Sequence, residues 1–158
     1  FDAEAGFVAA GLAPLRGFLS YIIAAVLTAF IYFKAPTLEI EYDDKKLVKP
    51  ALMCSIMNGT RLGGGFYMTP DAKNDDNLYD ICIVDEVSSS RVLGLIPYFF
   101  KGTQETQDEV IILQANKLKI TAVKGNLSAH VDGETLCEKG EAVEVEMLPN
   151  VLDIICEC

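Results

Sequence analysis

Apolar and polar positions change their spacing several times along this chain, and each change marks an element. From Gly17 to Phe33 the run GFLSYIIAAVLTAFIYF carries no charge and is bounded by Arg16 and Lys34. It falls short of the ~20 residues that a bilayer-spanning helix needs, and Ser20, Tyr21, Thr28 and Tyr32 interrupt it. The pattern therefore predicts a buried helix ahead of an interfacial or spanning one. Pro36 ends that run and a period of two begins. In TLEIEY, Leu38, Ile40 and Tyr42 alternate with Thr37, Glu39 and Glu41, as in a half-buried strand. Further strands are expected at Lys46 to Val48, at Ala51 to Asn58 after Pro50, at Phe66 to Met68 and at Tyr79 to Val84, the last a dense apolar run that suits a central position. The segment SSSRVLGLIPYFFKG offers serines for an N-cap, Val92, Leu95, Ile96 and Phe99 at helical spacing, and Gly102 as a C-cap. Pro97 should kink that helix or delay its start. Strands at Glu109 to Gln114, Leu118 to Val123, Leu127 to Val131, Ala142 to Met147 and Val151 to Cys156 complete the pattern. Short strands separated by Gly, Asn and Asp predict a mainly β fold, an antiparallel sandwich or barrel with one or two helices.

Composition narrows the classes. A chain of 158 residues, 51% hydrophobic and 23% charged, forms a single domain with a real core. Its formal charge of −10 and pI near 4.5 argue against nucleic-acid binding and against adhesion to anionic lipid by charge alone. The five cysteines, Cys54, Cys82, Cys137, Cys156 and Cys158, include no CxxC pair. Reduced thiols in a cytoplasmic protein are the expectation. The opening FDAEAGFVAAG has no basic segment ahead of an apolar core, so it does not read as a signal peptide.

Candidate chemistry concentrates in NGTRLGGGFYMTPDAKNDDNLYD, residues 58–80. Gly63, Gly64 and Gly65 permit positive φ and let another group approach closely, which makes them candidate substrate-binding positions. Asp75, Asp76 and Asp80 crowd one turn, commonly the mark of a solvated acidic loop. Asp76, however, stands three residues after Lys73 and two before Leu78, so main-chain oxygens and one carboxylate could converge on Mg²⁺ or Ca²⁺. Asp132, Gly133 and Glu134 read as a hairpin turn between strands. The sole histidine, His130, sits in an alternating strand and reads as structural or surface, not as a general base. No GxSxG elbow, Walker loop or GxGxxG is present.

The order of NGTRLGGGFYMTPDAKNDDNLYD, SSSRVLGLIPYFFKGT, HVDGE and PNVLDII resembles the C-terminal domain of the diacylglycerol kinase catalytic family. That family includes bacterial soluble lipid kinases and, more distantly, sphingosine and ceramide kinases. FDAEAGFVAAG followed by RGFLSYIIAAV looks like the family's Gly-Phe-Asp-Ala turn leading into a helix. The resemblance spans essentially the whole chain and implies a two-sheet β-sandwich, the larger lobe of a two-lobed kinase acting on diacylglycerol or a related lipid. It implies that a nucleotide lobe with a GGDGT-type loop precedes Phe1, and that the chain alone is inactive. It also implies a structural Mg²⁺ on the main-chain oxygens of Lys73 and Leu78 and the carboxylate of Asp76, with Asn77 in place of the usual glycine. A catalytic Mg²⁺ with ATP would come with the other lobe. Glu134 matches the base toward the lipid hydroxyl, and Asp2 matches an aspartate facing the headgroup in sphingosine kinases.

A reading from a different class is a non-catalytic β-sandwich that binds lipid or protein. Peripheral membrane contact and a homodimer through sandwich edges are compatible with both. The large apolar residues of the Gly17 to Phe33 run suggest a slot for acyl chains. A folded Ile23→Asp or Phe30→Asp protein is expected to lose lipid affinity, measured by vesicle or micelle binding; unchanged affinity would remove the slot.

Overall fold

The computed structural model describes residues 35–63 and 65–151. The expected helix over Gly17 to Phe33, Asp2, Gly64, Cys156, Cys158 and nearly all of the strand expected at Val151 to Cys156 lie outside the described residues. The described strands are β1 (Thr37–Tyr42), β2 (Lys45–Met57), β3 (Arg61–Leu62), β4 (Phe66–Tyr67), β5 (Tyr79–Asp85), β6 (Val110–Ala115), β7 (Lys117–Lys124), β8 (Leu127–Val131), β9 (Glu134–Gly140) and β10 (Ala142–Glu146). One α-helix, α1 (Ser89–Lys101), and one 3-10 turn, Gln104–Thr106, join β5 to β6. Six strands run in the order β10-β7-β1-β2-β5-β6, every pair antiparallel, while β3-β4 and β8-β9 form separate ribbons.

The strand β2 belongs to two layers. Its first half pairs with β1, from Tyr42 opposite Lys45 to Thr37 opposite Pro50, and its second half pairs with β5, ending with Met57 opposite Asp80. A register shift between Ala51 and Met53 marks the crossing, which is how a strand turns a sandwich corner. The two strands expected at Lys46 to Val48 and Ala51 to Asn58 are thus one. Pro50 does not break it, because the proline stands, exposed, where the strand leaves β1, and its missing N–H coincides with the change of partner. Its carbonyl accepts from Glu86 N at 3.2 Å, Ala51 N donates to the Pro36 carbonyl at 3.1 Å, and Lys49 pairs with Asp85 across the corner.

Alternation along β5 feeds two cores. Ile81 and Ile83 join Leu38, Ile40, Ala51, Ala115, Leu118, Ile120 and Leu127 between the layers. Cys82 and Val84 point the other way, to Leu52, Met68, Val110 and the Val92, Leu95 and Phe99 stripe of α1. Each of Ile40, Ile81 and Ile83 is wholly out of water, a contribution of about 1.5–3 kcal/mol apiece. The outer face of β1, β2, β7 and β10 is polar, with Lys46 2.8 Å from Glu39 and Lys117 bridging Glu144 at 3.0 Å and Glu146 at 3.3 Å.

The helix is capped as its sequence suggests. The Ser88 hydroxyl accepts from Arg91 N at 3.4 Å, and Gly102, at φ 67°, donates its N–H to the Tyr98 carbonyl. Pro97 does not delay the start, which falls at Ser89. Both Pro97 and Leu93, whose carbonyl lacks its helical donor, lie on the exposed side, where water can serve that carbonyl. The strand β9 was not expected, since most of its residues are exposed and its sequence carries no apolar period; pairing with β8 makes it a strand. Cys54, Cys82 and Cys137 are unpaired as expected, and burial pushes the thiols of Cys54 and Cys82 up to about 12, so neither is nucleophilic at neutral pH.

A bidentate pair fastens α1 to the approach of β6. Arg91 Nε and Nη2 donate to Glu109 Oε1 and Oε2 at 2.8 and 3.0 Å, and Nη2 also reaches Gln107 at 2.9 Å. The hydrogen bonds from Arg91 hold the Glu109 carboxyl at about 2, against a usual 4.5. A carboxyl depressed by folding stabilises the protein fully above its unfolded value and loses that contribution as pH falls through its folded one. Between pH 4.5 and 2 the urea midpoint of the protein should therefore fall more steeply than that of Glu109→Gln; parallel profiles would show that the pair contributes nothing.

Candidate active site

Three loops carry the residues singled out by sequence. The first is the glycine-rich hairpin. Arg61 lies opposite Tyr67 and Leu62 opposite Phe66, so Gly63 and Gly65 form the tip of the β3-β4 ribbon. Gly63 takes φ 55°, and among the described residues nothing lies within 4 Å of where its Cβ would stand. Side chains fix the hairpin below its tip. Arg61 lies 4.1 Å over the Tyr67 ring and donates to its hydroxyl, and the Phe66 and Phe100 rings stack at 4.6 Å on α1. Gln104, wholly buried, donates through Nε2 to the carbonyls of Tyr67 at 2.6 Å and Met68 at 2.9 Å. Thr69 closes the base by donating to the Gly59 carbonyl at 2.9 Å.

The second loop is the acidic turn. Asp76 Oδ1 accepts from Leu78 N at 3.0 Å, an Asx turn, and Asn77 takes φ 63°, a left-handed conformation that asparagine tolerates. Asn74 packs its Oδ1 3.5 Å from where a Gly59 Cβ would stand, which sets this turn against the base of the glycine hairpin. Lys73, Asp76 and Leu78, three positions of one turn, are the residues that could hold a divalent cation: two hard main-chain oxygens and one carboxylate form the donor set that Mg²⁺ or Ca²⁺ takes. Among the described residues no cage of three or more His, Cys, Asp or Glu side chains is formed, so an ion here would rely on the carbonyls.

Sequence reasoning placed Asp80 in the crowd without giving it a role. It is the second residue of β5, directly across from Gln114 of β6, is 4% exposed, and accepts at Oδ1 from Gln114 Nε2 at 3.0 Å. The same amide reaches Asp76 Oδ2 at 3.4 Å. Burial pushes the Asp80 carboxyl up, Gln114 opposes that, and Asp76 and Asp71 add to it. A charged residue inside an apolar strand was the available signal; Gln114 could be found only from the β5-β6 register.

The third loop is the β8-β9 turn. Asp132 at φ 49° and Gly133 at φ 87° give both central residues positive φ, as the hairpin reading of Asp-Gly requires. Glu134 opens β9 opposite Val131 and is exposed at the tip, with no hydrogen bond or ion pair to the acidic turn among the described residues. His130, half-buried, stands opposite Thr135. Among the described residues no helix is long and apolar enough to cross a membrane.

This arrangement can be set beside known proteins. Residues 1–156 match the family described as the YegS C-terminal NAD kinase beta sandwich-like domain. The chain belongs to that family. It is similar to one part of larger proteins. It is 25% identical over 111 residues to a diacylglycerol kinase of Mycobacterium tuberculosis, covering 70% of this chain and 35% of that protein. It is 27% identical over 97 residues to a diacylglycerol kinase of Bacillus subtilis, covering 61% and 31%. A YegS-like lipid kinase of Serratia proteamaculans is 30% identical over 139 residues, 87% of this chain and 42% of the relative. The chain thus spans between about a third and two fifths of these proteins. A solved diacylglycerol kinase of Bacillus anthracis shares the fold, with TM-score 0.51 and 18% identity over 90% of this chain and 44% of that one. Another structure from that organism superposes at 0.62 with 20% identity, covering 90% and 46%.

The glycine hairpin of this YegS-type domain depends on Gln104 most directly. Gln104→Ala would leave the Tyr67 and Met68 carbonyls without their side-chain donor, at a cost of about 2–4 kcal/mol. Urea unfolding should show that loss, and limited proteolysis should become faster between residues 59 and 70. A change under 0.5 kcal/mol would show that the clamp is dispensable.

Proposed function

We propose that this chain is the lipid-facing C-terminal domain of an ATP-dependent lipid kinase that phosphorylates the hydroxyl of diacylglycerol or a related lipid alcohol. The observation that carries the reading is the family match over residues 1–156, among relatives named as diacylglycerol and lipid kinases. The nucleotide would be held by an N-terminal lobe of the same protein, in the cytoplasm, with the lipid drawn from a membrane that the protein touches only peripherally. Without that lobe the domain has nothing to bind ATP and is inactive.

The residues divide the work. Glu134, exposed at the tip of a two-residue turn, orients the lipid hydroxyl and takes its proton as the oxygen attacks the γ-phosphorus and ADP leaves. Asp132 and Gly133 aim it, because their positive φ values fix where β9 begins. Gly63 and Gly65, with Gly64 between them, let substrate or nucleotide lie close against main chain. Lys73, Asp76 and Leu78 would hold Mg²⁺, which when bound neutralises negative charge and rigidifies the turn. Asp2 is assigned to the headgroup.

Glu134→Gln in the full-length protein tests this. Phosphorylation of a diacylglycerol and sphingoid panel with Mg-ATP should fall about 10²–10⁴-fold, while the urea midpoint stays put because the side chain is exposed. Undiminished activity would remove Glu134 from the chemistry, and a wild-type protein inert on every lipid would favour a non-catalytic binding module.

A further inference from the structure

The buried carboxylate at the foot of the acidic turn has one oxygen too many for its surroundings. Asp80 Oδ1 is held by Gln114, but Oδ2 is shut from water and has no hydrogen-bond partner. Leaving a charged oxygen in that state is costly, and native folds avoid it unless something else fills the place. The neighbours make it worse, since Asp80 lies in the field of both Asp76 and Asp71. Among the described residues no ion pair balances them: those that form lie elsewhere, at Lys46, Lys49, Arg91 and Lys117. The group positioned to reach both Asp76 and Asp80 is one neutral amide, Gln114 Nε2, 3.4 Å from Asp76 Oδ2 and 3.0 Å from Asp80 Oδ1. A neutral donor satisfies an oxygen on each acid and cancels none of the charge. A divalent cation would do both.

We propose that Asp80 is a second carboxylate of the acidic-turn cation site, taking the ion or one of its waters on Oδ2, with Gln114 as the positioning residue that keeps Asp76 and Asp80 in one geometry. The proposal rests on the cation reading of Lys73, Asp76 and Leu78 given above. It explains why an aspartate stands buried beside the apolar run Ile81 to Val84 of β5, where a hydrophobic side chain would serve the fold better. It also explains why the residue registered opposite is an amide long enough to reach the turn. The preference it implies is for a small, hard, oxygen-seeking ion.

The test uses the full-length protein and the metal alone. Mn²⁺ binding followed by electron paramagnetic resonance, with Mg²⁺ competition by calorimetry, should show a site abolished in Asp76→Asn. Asp80→Asn should weaken that site about 10–100-fold, and Gln114→Leu should weaken it in the same direction. The metal-free melting temperature separates a ligand from a structural acid. Asparagine is isosteric and relieves the buried charge, so Asp80→Asn should melt at the same or a higher temperature than wild type without metal, yet gain less stability on adding Mg²⁺. Wild-type affinity in Asp80→Asn, with Asp76→Asn inert, would overturn this proposal alone. A lower metal-free melting temperature would make Asp80 a structural residue and overturn it as well. A wild-type protein that takes no ion would overturn both this proposal and the cation reading beneath it.

Discussion

The fold depends on burying both faces of β5. Ile81 and Ile83 enter the core between the layers while Cys82 and Val84 enter the core under α1, so one strand of seven residues joins two hydrophobic clusters. Such a strand cannot slip in register, because a shift of one residue would exchange the contents of the two cores. The same register puts Asp80 opposite Gln114 and Met57 opposite Asp80. The acidic turn is therefore anchored by a strand that packing on both faces holds in register, and the geometry of its carboxylates follows from hydrophobic packing several residues away.

Around that strand, the loops are held by different means. The acidic turn holds itself through the Asx bond of Asp76 and the left-handed Asn77, then borrows Gln114 from β6. The glycine hairpin is too short to be stable alone and is held by Gln104, Thr69 and the Phe66–Phe100 stack. The turn carrying Glu134 needs only its own backbone, since Asp132 and Gly133 satisfy a two-residue hairpin locally. Turns fixed in these ways on a double-layered scaffold hold their side chains in defined positions. They also explain how a domain can keep the shape of its relatives at 18–20% identity, since the constraints fall on turn types and buried positions.

Where the sequence misled, the reason was a non-local one. Pro50 looked like a strand break because a proline removes a ladder donor, yet β2 changes partner at that residue. Pro97 suggested a kink or a late helix start, but the helix starts at Ser89, and the Leu93 carbonyl that Pro97 leaves without a donor lies on the solvent side. The strand β9 has no apolar alternation to announce it, and only β8 makes it a strand. Gln114 read as an ordinary strand residue until the register set it beside two aspartates.

By itself the sequence determined the strand-rich class, the caps Ser88 and Gly102, the Asp-Gly hairpin before Glu134 and the turn chemistry from Lys73 to Leu78. All of these rest on residue preferences acting within a few positions of the chain. Only the tertiary structure decided that β2 turns the corner of the sandwich, that Gln104 clamps the glycine hairpin, and that Asp80 and Asp76 share Gln114. Those contacts join residues 34–38 positions apart, or strands whose partners change along their length, and their strength comes from register and burial that no local pattern encodes.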